Sequence, residues 1–127
     1  MSGSSSDPHF PGRAPIEAYG ASGFAFANMS HRGSILALPS GIWAWPPKTF
    51  AEIDEASLAR VFAEQGEIDF FLIGSGREPA LLAELLRQRL KDSGLDYDVM
   101  PTRAATSTYN VLLAEDRRVA AALIAVE

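Results

Sequence analysis

The second half of the chain alternates short apolar runs with segments whose apolar residues recur at helical spacing, and this alternation restricts the fold more than any other feature. The apolar runs read IDFFLI, LDYDVM and VAAALIAV, and segments of helix length separate them. Strands connected through helices lie parallel in one sheet with right-handed crossovers. The pattern therefore predicts a βαβαβ unit of the α/β class, with helices flanking the sheet.

Three helices are predicted around these strands. Asp54 is typical of an N-cap, and Gly66 ends the helix that follows it. Pro79, a residue favoured at the first helical position, precedes leucines that fall on one face over residues 81–90. The third helix covers PTRAATSTYNVLLAEDR and begins at Pro101 or Thr102.

The first third of the chain has the character of antiparallel β structure. In IEAYG and GFAFANM, aromatic residues alternate with smaller ones. The segment GSILALPSGIWAW continues the pattern with two more strands around a Pro-Ser-Gly turn, and Pro46-Pro47 then prevents further ladder pairing. We therefore expect an N-terminal antiparallel β-meander joined to the βαβαβ unit.

Residues 1–15 differ from the rest of the chain in composition. They contain four serines, three prolines and two glycines. A segment of this kind buries too little apolar surface to offset the entropy lost on ordering. We predict a disordered N-terminal tail over residues 1–15 and a single α/β domain over residues 16–127, a size typical of one domain.

Charge and cysteine content exclude several classes of function. The net charge is −5 without a basic stripe, so no nucleic-acid partner is predicted. No apolar run approaches the roughly 18 residues of a membrane span, and membrane insertion is not predicted. The first 15 residues lack the apolar core of a signal peptide, so we expect a cytoplasmic protein. The chain has no cysteine, which excludes thiol catalysis and cysteine–zinc sites, and no metal or cofactor is predicted.

The loop Gly74-Ser75-Gly76-Arg77, directly after an apolar run, matches none of three named motifs. A dinucleotide fingerprint needs a third glycine where the chain has Pro79, and a Walker loop needs Gly-Lys followed by Ser or Thr. A nucleophile elbow needs glycines where the chain has Ile73 and Arg77.

Two interpretations of this loop remain open. If a helix begins directly after it, the free N–H groups and the helix dipole favour a bound anion, and the guanidinium of Arg77 matches a carboxylate or phosphate. Alternatively, the loop is an ordinary turn that uses glycine for its φ angles, and Arg77 pairs with a surface acid such as Glu78.

A second polar cluster begins at Thr102, again after a strand. If the two strands are neighbours, this cluster and the glycine loop share the sheet edge where open α/β sheets bind ligands. The alternative makes Thr102 a helix cap and Tyr109 a core residue with one polar end. The predicted ligand-binding residues are Gly74, Ser75, Gly76, Arg77, Thr102, Thr106, Tyr109 and Asn110.

Two aromatic positions and one histidine complete the candidates. Trp43 and Trp45 alternate along one strand and therefore share a face. They form either an exposed aromatic patch that contacts a partner or part of the rim of the core. His31 lies in NMSHRGS and is expected to be a surface turn residue.

Four phrases together resemble a known family: EAYGASGFAF, GSILALPSGIWAW, FFLIGSG and TRAATSTYNVLLAEDRRVAAALI. This small family of domains of unknown function includes the third assembly factor of mitochondrial respiratory complex I and an adipogenesis-associated vertebrate protein. The resemblance runs from about Ile16 to Val126. It implies a three-layer α/β fold with a central mixed sheet and an added β layer, and no established enzymatic activity.

The resemblance also implies a site near the glycine loop, at Gly74, Gly76, Thr102, Tyr109 and Asn110. Bacterial relatives often read MDTGAACRTYN where this chain reads MPTRAATSTYN. Pro101 therefore replaces an acid and Thr106 replaces a cysteine, so thiol or acid chemistry is not expected there.

These observations lead to two hypotheses of different classes. The first is a non-enzymatic interaction or assembly protein that binds a protein partner through the tryptophan strand or a sheet edge; the sequence does not define its oligomeric state. The second is a small-molecule-binding protein or an enzyme that acts on an anionic substrate at the edge formed by Gly74–Arg77 and Thr102.

Overall fold

The N-terminal strands form a small antiparallel sheet of their own in the computed structural model, which describes residues 7–127. Its three strands lie in chain order, and tight turns with left-handed residues connect them: β1 (Ile16–Gly20), β2 (Gly23–Phe26) and β3 (Met29–Arg32). The β-meander predicted at the start of the domain is therefore present.

The five remaining strands are β4 (Ser34–Leu38), β5 (Gly41–Trp45), β6 (Phe70–Gly74), β7 (Tyr97–Met100) and β8 (Val119–Leu123). They form a mixed sheet in the order β5-β4-β8-β6-β7. β6 is parallel to both β7 and β8, as the strand–helix alternation predicted, whereas the β4–β5 hairpin joins through β4, which is antiparallel to β8. The tryptophan hairpin thus extends the central sheet and not the meander.

The helix predicted between Asp54 and Gly66 is broken into short pieces. An α-helical stretch of five residues, α1 (Ala59–Ala63), lies between 3-10 turns at Ala56–Leu58 and Gln65–Glu67. The Asp54 side chain accepts a hydrogen bond from the Ser57 amide at 2.8 Å, as a cap does, but it precedes a 3-10 turn. Another 3-10 turn covers Phe50–Glu52.

The second helix begins later than predicted. It is α2 (Glu84–Ser93), and residues 77–83 before it are irregular. Leu82, Leu86 and Leu90 are buried at four-residue spacing, whereas Leu81 and Leu85 are 77% and 85% exposed. The leucine-rich stretch therefore contains a narrow buried stripe and two exposed leucines, not one wide apolar face. The third helix, α3 (Thr102–Ala114), begins where predicted.

The mixed sheet separates two apolar layers. Phe71 and Ile73 point to the side that carries α1 and α2, and Leu72 points to the side that carries α3 and the small sheet. Phe26 of β2 and Tyr109 of α3 are both buried in that second layer. The fold is therefore three-layered α/β with a central mixed sheet and an added antiparallel layer, as predicted.

Contacts with the domain begin before Ile16, inside the segment predicted as a tail. The His9 amide donates to the Ile42 carbonyl at 2.8 Å, and the Ile42 amide donates to the Phe10 carbonyl at 2.9 Å. A Cβ atom on Gly41 would lie 2.2 Å from the Phe10 oxygen, so glycine is required for this close approach. Residues 8–10 thus cover the outer edge of β5 at Gly41 and Ile42. Residues 1–6 of the predicted tail lie outside the described part of the chain.

Candidate functional site

The structure brings the glycine loop and the start of α3 into direct contact. β6 and β7 are parallel neighbours, and the Ser75 amide donates to the Met100 carbonyl at 2.9 Å. The Thr102 amide donates to the Gly76 carbonyl at 2.8 Å, and the Gly76 amide donates to the Thr102 hydroxyl at 2.9 Å. The shared sheet edge predicted from topology therefore exists.

This contact is closely packed. Thr102 is fully buried, and its hydroxyl also donates to the Ile124 carbonyl at 2.7 Å. A Cβ on Gly74 would lie 2.9 Å from the Thr102 Oγ1 and 2.9 Å from a methyl group of Leu123. Gly74 and Thr102 thus connect β6, α3 and β8 and leave no space between them for a ligand.

The loop does not lead into a helix, which changes the electrostatic argument for an anion. Seven residues separate Gly76 from the start of α2 at Glu84. The Ser75 hydroxyl donates to the Glu78 carbonyl at 2.6 Å and closes a turn in between. The helix N-terminus beside the loop belongs to α3, where Pro101 provides no side-chain cap.

Two arginines face a groove of about 380 Å³ beside this loop, which we call the arginine groove. Arg77 comes from the loop and Arg103 from the first turn of α3. Glu78 and Glu127 bring carboxylates to the same groove, and Arg77 donates to the Glu127 backbone carbonyl at 3.3 Å. The groove therefore combines two guanidinium groups with acidic competitors. Its lining residues are Tyr19, Gly76, Arg77, Glu78, Arg103, Val126 and Glu127.

Tyr109 and Asn110 make their hydrogen bonds to the N-terminal segment. The Asn110 side chain accepts from the Ile16 amide and donates to the Ile16 carbonyl, both at 2.8 Å. The Tyr109 hydroxyl donates to the Ala14 carbonyl at 3.3 Å, and burial raises the pKa of Tyr109 to about 12. These two side chains hold β1 against α3.

Thr106 lies between these two groups of contacts on the same helix. It is 4% exposed, and its hydroxyl has no hydrogen-bond partner within residues 7–127. A buried hydroxyl without a partner has lost its hydration without compensation. Thr106 is thus part of the packed interior of α3.

Trp43 and Trp45 do not form an exposed patch. They are 8% and 4% exposed and belong to the core layer that faces α1 and α2. The Trp43 indole donates to the Ser40 hydroxyl at 2.9 Å, and the Trp45 indole donates to the Ser57 carbonyl at 2.7 Å. Of the two alternatives for these residues, the structure shows the core position. Alternation along a strand shows that they share a face but gives no indication of what covers it.

His31 lies in strand β3 and not in a turn, and it is half-buried. Its ring centroid is 4.5 Å from that of His9. Burial lowers the pKa of His31 below its ordinary value, and the charge of His9 lowers it further, while a backbone hydrogen bond at Ser34 raises it. No group of three or more potential metal ligands occurs among residues 7–127. None of the helices in that range has the length and apolar character needed to cross a membrane.

One further surface, along the outer side of β7, contains none of the predicted site residues. Leu81 approaches this strand and lines a groove of about 340 Å³ with Tyr97, Asp98 and Val99. We call these four residues the β7 edge surface. The Asp98 carboxylate accepts a hydrogen bond from the Val99 amide at 2.9 Å. The high exposure of Leu81 becomes evident only once the start of α2 is known.

Comparison with known proteins agrees with this architecture. A crystal structure from Bartonella henselae, of a protein called an outer membrane protein, is 51% identical and superposes with a TM-score of 0.90 over 94% of this chain and all of the other. An NMR structure of a Rhodopseudomonas palustris protein is 43% identical, with a TM-score of 0.81, and the match covers this whole chain and 93% of the other.

Relatives with curated names also match most of this chain in sequence. An uncharacterised Rhodobacter capsulatus protein is 36% identical over 93% of this chain and 90% of its own length. The NADH dehydrogenase [ubiquinone] 1 alpha subcomplex assembly factor 3 of Drosophila melanogaster is 31% identical over 86% of this chain, which spans 57% of that longer protein. Residues 16–124 match the family described as a protein of unknown function, DUF498/DUF598. The resemblance predicted from the sequence is confirmed: the chain belongs to the DUF498/DUF598 family.

Proposed function

We propose that this protein is a non-enzymatic interaction or assembly protein that binds a partner protein along the β7 edge surface. The observation that carries the proposal is an open strand edge beside an exposed leucine. The expected compartment is the cytoplasm, as the sequence predicts.

The backbone of β7 supports pairing with a partner strand. Within residues 7–127, β7 pairs with β6 alone. The Asp96 and Met100 carbonyls accept hydrogen bonds from the amides of Phe71 in β6 and of Ser75 directly after it. By the alternation of a parallel ladder, the backbone groups of Tyr97 and Val99 therefore face away from the sheet. An extended segment of another protein can add to such an edge through main-chain hydrogen bonds.

The chemistry of this edge suits a protein that remains soluble until it meets its partner. Asp98 places a charge on the edge and binds the Val99 amide itself, which discourages unspecific strand pairing. Leu81 provides an exposed apolar anchor in the adjoining groove, and Leu85 follows at the start of α2. Interfaces commonly combine a few apolar anchors with main-chain complementarity.

The names of the relatives support a protein as the partner. Those called assembly factor 3 are named for the assembly of NADH dehydrogenase, although this chain spans little more than half of their length. By this likeness, the partner belongs to a respiratory NADH dehydrogenase under assembly. This identification of the partner is testable in the native host. Deletion of the gene should reduce the amount of assembled NADH dehydrogenase on native gels, and an unchanged amount would contradict the identification.

The edge itself is tested by a charge placed on its apolar anchor. Leu81→Asp should abolish cross-linking to partner proteins in the native host, because it places a carboxylate in the desolvated centre of the contact. Val111→Asp is the matched control, since Val111 is 57% exposed on α3 and lies outside the β7 edge surface. If Leu81→Asp retained every partner that the unaltered protein captures, β7 would not be the contact edge.

A second candidate function rests on the arginine groove. Arg77 and Arg103 both line it beside the N-terminus of α3, which has no side-chain cap, an arrangement that favours a small phosphate or carboxylate. Titration with phosphate, sulfate and small carboxylates, followed by NMR, tests this. Saturable shifts of the Gly76 and Arg103 amide signals that disappear in Arg77→Ala would support it, and unshifted signals would eliminate it.

A further inference from the structure

The β7 edge surface has two faces of different character, because side chains alternate along a strand. Tyr97 and Val99 pack toward the core layer of α1 and α2, and the exposed Leu81 lines the groove beside them. Asp98, between them in the chain, is exposed and reaches the outer edge of the strand. An extended segment that pairs with β7 therefore meets an apolar face and an acidic residue.

The Asp98 carboxylate has no counter-ion. It takes part in none of the ion pairs found within residues 7–127, and the hydrogen bond that it accepts comes from the Val99 amide at 2.9 Å. The cation that lines the adjoining groove is Arg87, whose guanidinium is paired with the Glu84 carboxylate at 2.6 Å. The charge left to be matched at this edge is therefore negative.

Pairing with a partner strand changes the surroundings of this carboxylate. The Val99 N–H faces outward, so a carbonyl of an added strand takes it in the ladder and the Asp98 carboxylate loses its donor. The same strand covers the edge, and a covered carboxylate without compensation opposes binding. In an antiparallel pair, the residue opposite Asp98 occupies a non-hydrogen-bonded position, where side chains lie closest. A cation at that position removes the cost.

A second copy of this chain does not supply such a cation. Two antiparallel β7 strands centred on Asp98 place that residue opposite itself, and two strands centred on Tyr97 place Asp98 opposite Asp96. Like charges directly opposite destabilise a strand pair. Strands centred on Val99 bring Tyr97 opposite Pro101, which has no N–H to donate. The edge therefore favours a segment of different sequence.

We infer that the β7 edge surface takes an extended segment of another protein in which a lysine or arginine lies between two apolar residues. The apolar residues lie opposite Tyr97 and Val99, on the face of Leu81, and the basic residue pairs with the Asp98 carboxylate that the Val99 amide releases. This inference rests on the proposed function, to which it adds the sequence pattern of the partner segment.

Three short strand peptides test the pattern, with lysine, norleucine or glutamate between two valines. The amide signals of Tyr97 and Val99, in NMR spectra of the isotope-labelled protein, report on pairing at the edge. We expect millimolar lysine peptide to shift both signals saturably, with an affinity about threefold to fivefold higher than that of the norleucine peptide. The glutamate peptide should bind most weakly, and added salt should reduce the advantage of lysine.

Variants at position 98 assign the charge. Asp98→Asn still offers an oxygen to the Val99 amide but carries no charge, so the lysine and norleucine peptides should bind it equally. Asp98→Lys should reverse the order, with the glutamate peptide bound more tightly than the lysine peptide. Glu115→Gln is the matched control, because Glu115 is exposed at the end of α3, outside the β7 edge surface, and should leave the order unchanged. If a variant does not fold, the three peptides on the unaltered protein decide the question.

The possible failures separate this inference from the proposed function. Equal affinity for the three peptides would overturn the basic pattern and leave the contact edge in place. Signals of Tyr97 and Val99 that move with protein concentration alone would make a second copy the occupant, which also overturns the pattern. Signals that none of the peptides moves would contradict both the pattern and the contact edge, and Leu81→Asp tests that edge separately in the native host.

Discussion

Gly76 and Thr102 exchange two hydrogen bonds across the sheet edge, one through the threonine amide and one through its buried hydroxyl. The same hydroxyl donates to Ile124, so a single side-chain oxygen connects the glycine loop, α3 and the end of β8. The residues that looked most like a ligand cradle in the sequence thus bind each other.

Removing that oxygen leaves two buried backbone groups without partners. Thr102→Val keeps the shape of the side chain but deprives the Gly76 N–H and the Ile124 carbonyl, so we expect a loss of about 2–4 kcal/mol in the free energy of unfolding. Urea denaturation measures it. Thr108→Val is the control on the same helix, because its hydroxyl makes only a weak contact of 3.7 Å to the Met100 sulfur. Equal effects of the two substitutions would contradict this role of Thr102.

Position 74 requires glycine because the neighbouring side chains leave no space for a Cβ atom. In Gly74→Ala the new methyl group meets Thr102 and Leu123 at 2.9 Å, and overpacking of this kind costs about 1–3 kcal/mol. Gly66→Ala is the matched control, since no atom lies within 4 Å of a Cβ atom there. We expect Gly66→Ala to change the free energy of unfolding by less than about 1 kcal/mol. A Gly74→Ala protein as stable as the unaltered one would show that the loop can move away from α3.

The buried hydroxyl of Thr106 should be dispensable. Thr106→Val replaces it by a methyl group of similar size and removes a polar atom that has no partner within residues 7–127. We expect the free energy of unfolding to rise by up to about 1 kcal/mol, the opposite sign to Thr102→Val. A decrease of similar size in urea denaturation would mean that the hydroxyl has a partner in solution.

The Asn110 side chain holds β1 through two hydrogen bonds with the Ile16 backbone, as the backbone of a neighbouring strand would. Asn110→Asp can still accept from the Ile16 amide but cannot donate to the Ile16 carbonyl, so we expect a loss of about 1–3 kcal/mol in the free energy of unfolding. Faster hydrogen exchange of the β1 amides should accompany it. The same change at Asn28, exposed in a turn, is the control and should stay within about 0.5 kcal/mol.

Tyr109 makes stability depend on alkaline pH. The unfolded chain loses this proton near pH 10, whereas burial raises the pKa of Tyr109 to about 12 in the folded protein. Between these values the unfolded state binds fewer protons, so the free energy of unfolding falls as pH rises, by about 2–3 kcal/mol in total. Tyr109→Phe lacks this contribution. Measured by urea denaturation, the free energy of unfolding of Tyr109→Phe should therefore rise relative to that of the unaltered protein as the pH increases from 10 to 12. A constant difference would show that Tyr109 ionises normally.

Much of the fold was predictable because it depends on the spacing of apolar residues along short stretches of the chain. The alternation of apolar runs with helical segments predicted the parallel strands β8, β6 and β7, and their order brought Gly74 beside Thr102 as expected. The pairing of β4 with β8 was not predictable, because its register joins residues such as Ile35 and Leu123 that no local pattern relates.

The candidate site was harder to predict than the fold, because burial depends on neighbours distant in sequence. Leu81 and Leu85 share the helical spacing of the buried leucines, and nothing local shows that α2 begins at Glu84. Trp43 and Trp45 alternate as an exposed aromatic face would, yet the segment around Ser57 and Arg60 covers them.

The cover that residues 8–10 place on β5 makes the two ends of the central sheet unequal. Within residues 7–127, the outward backbone groups of Ile42 on β5 are occupied by His9 and Phe10, whereas β7 pairs with β6 alone. A strand added at β5 would have to displace these contacts at Ile42, and a strand added at β7 would not. We therefore expect association through this sheet to favour a pair joined at β7 over open-ended growth.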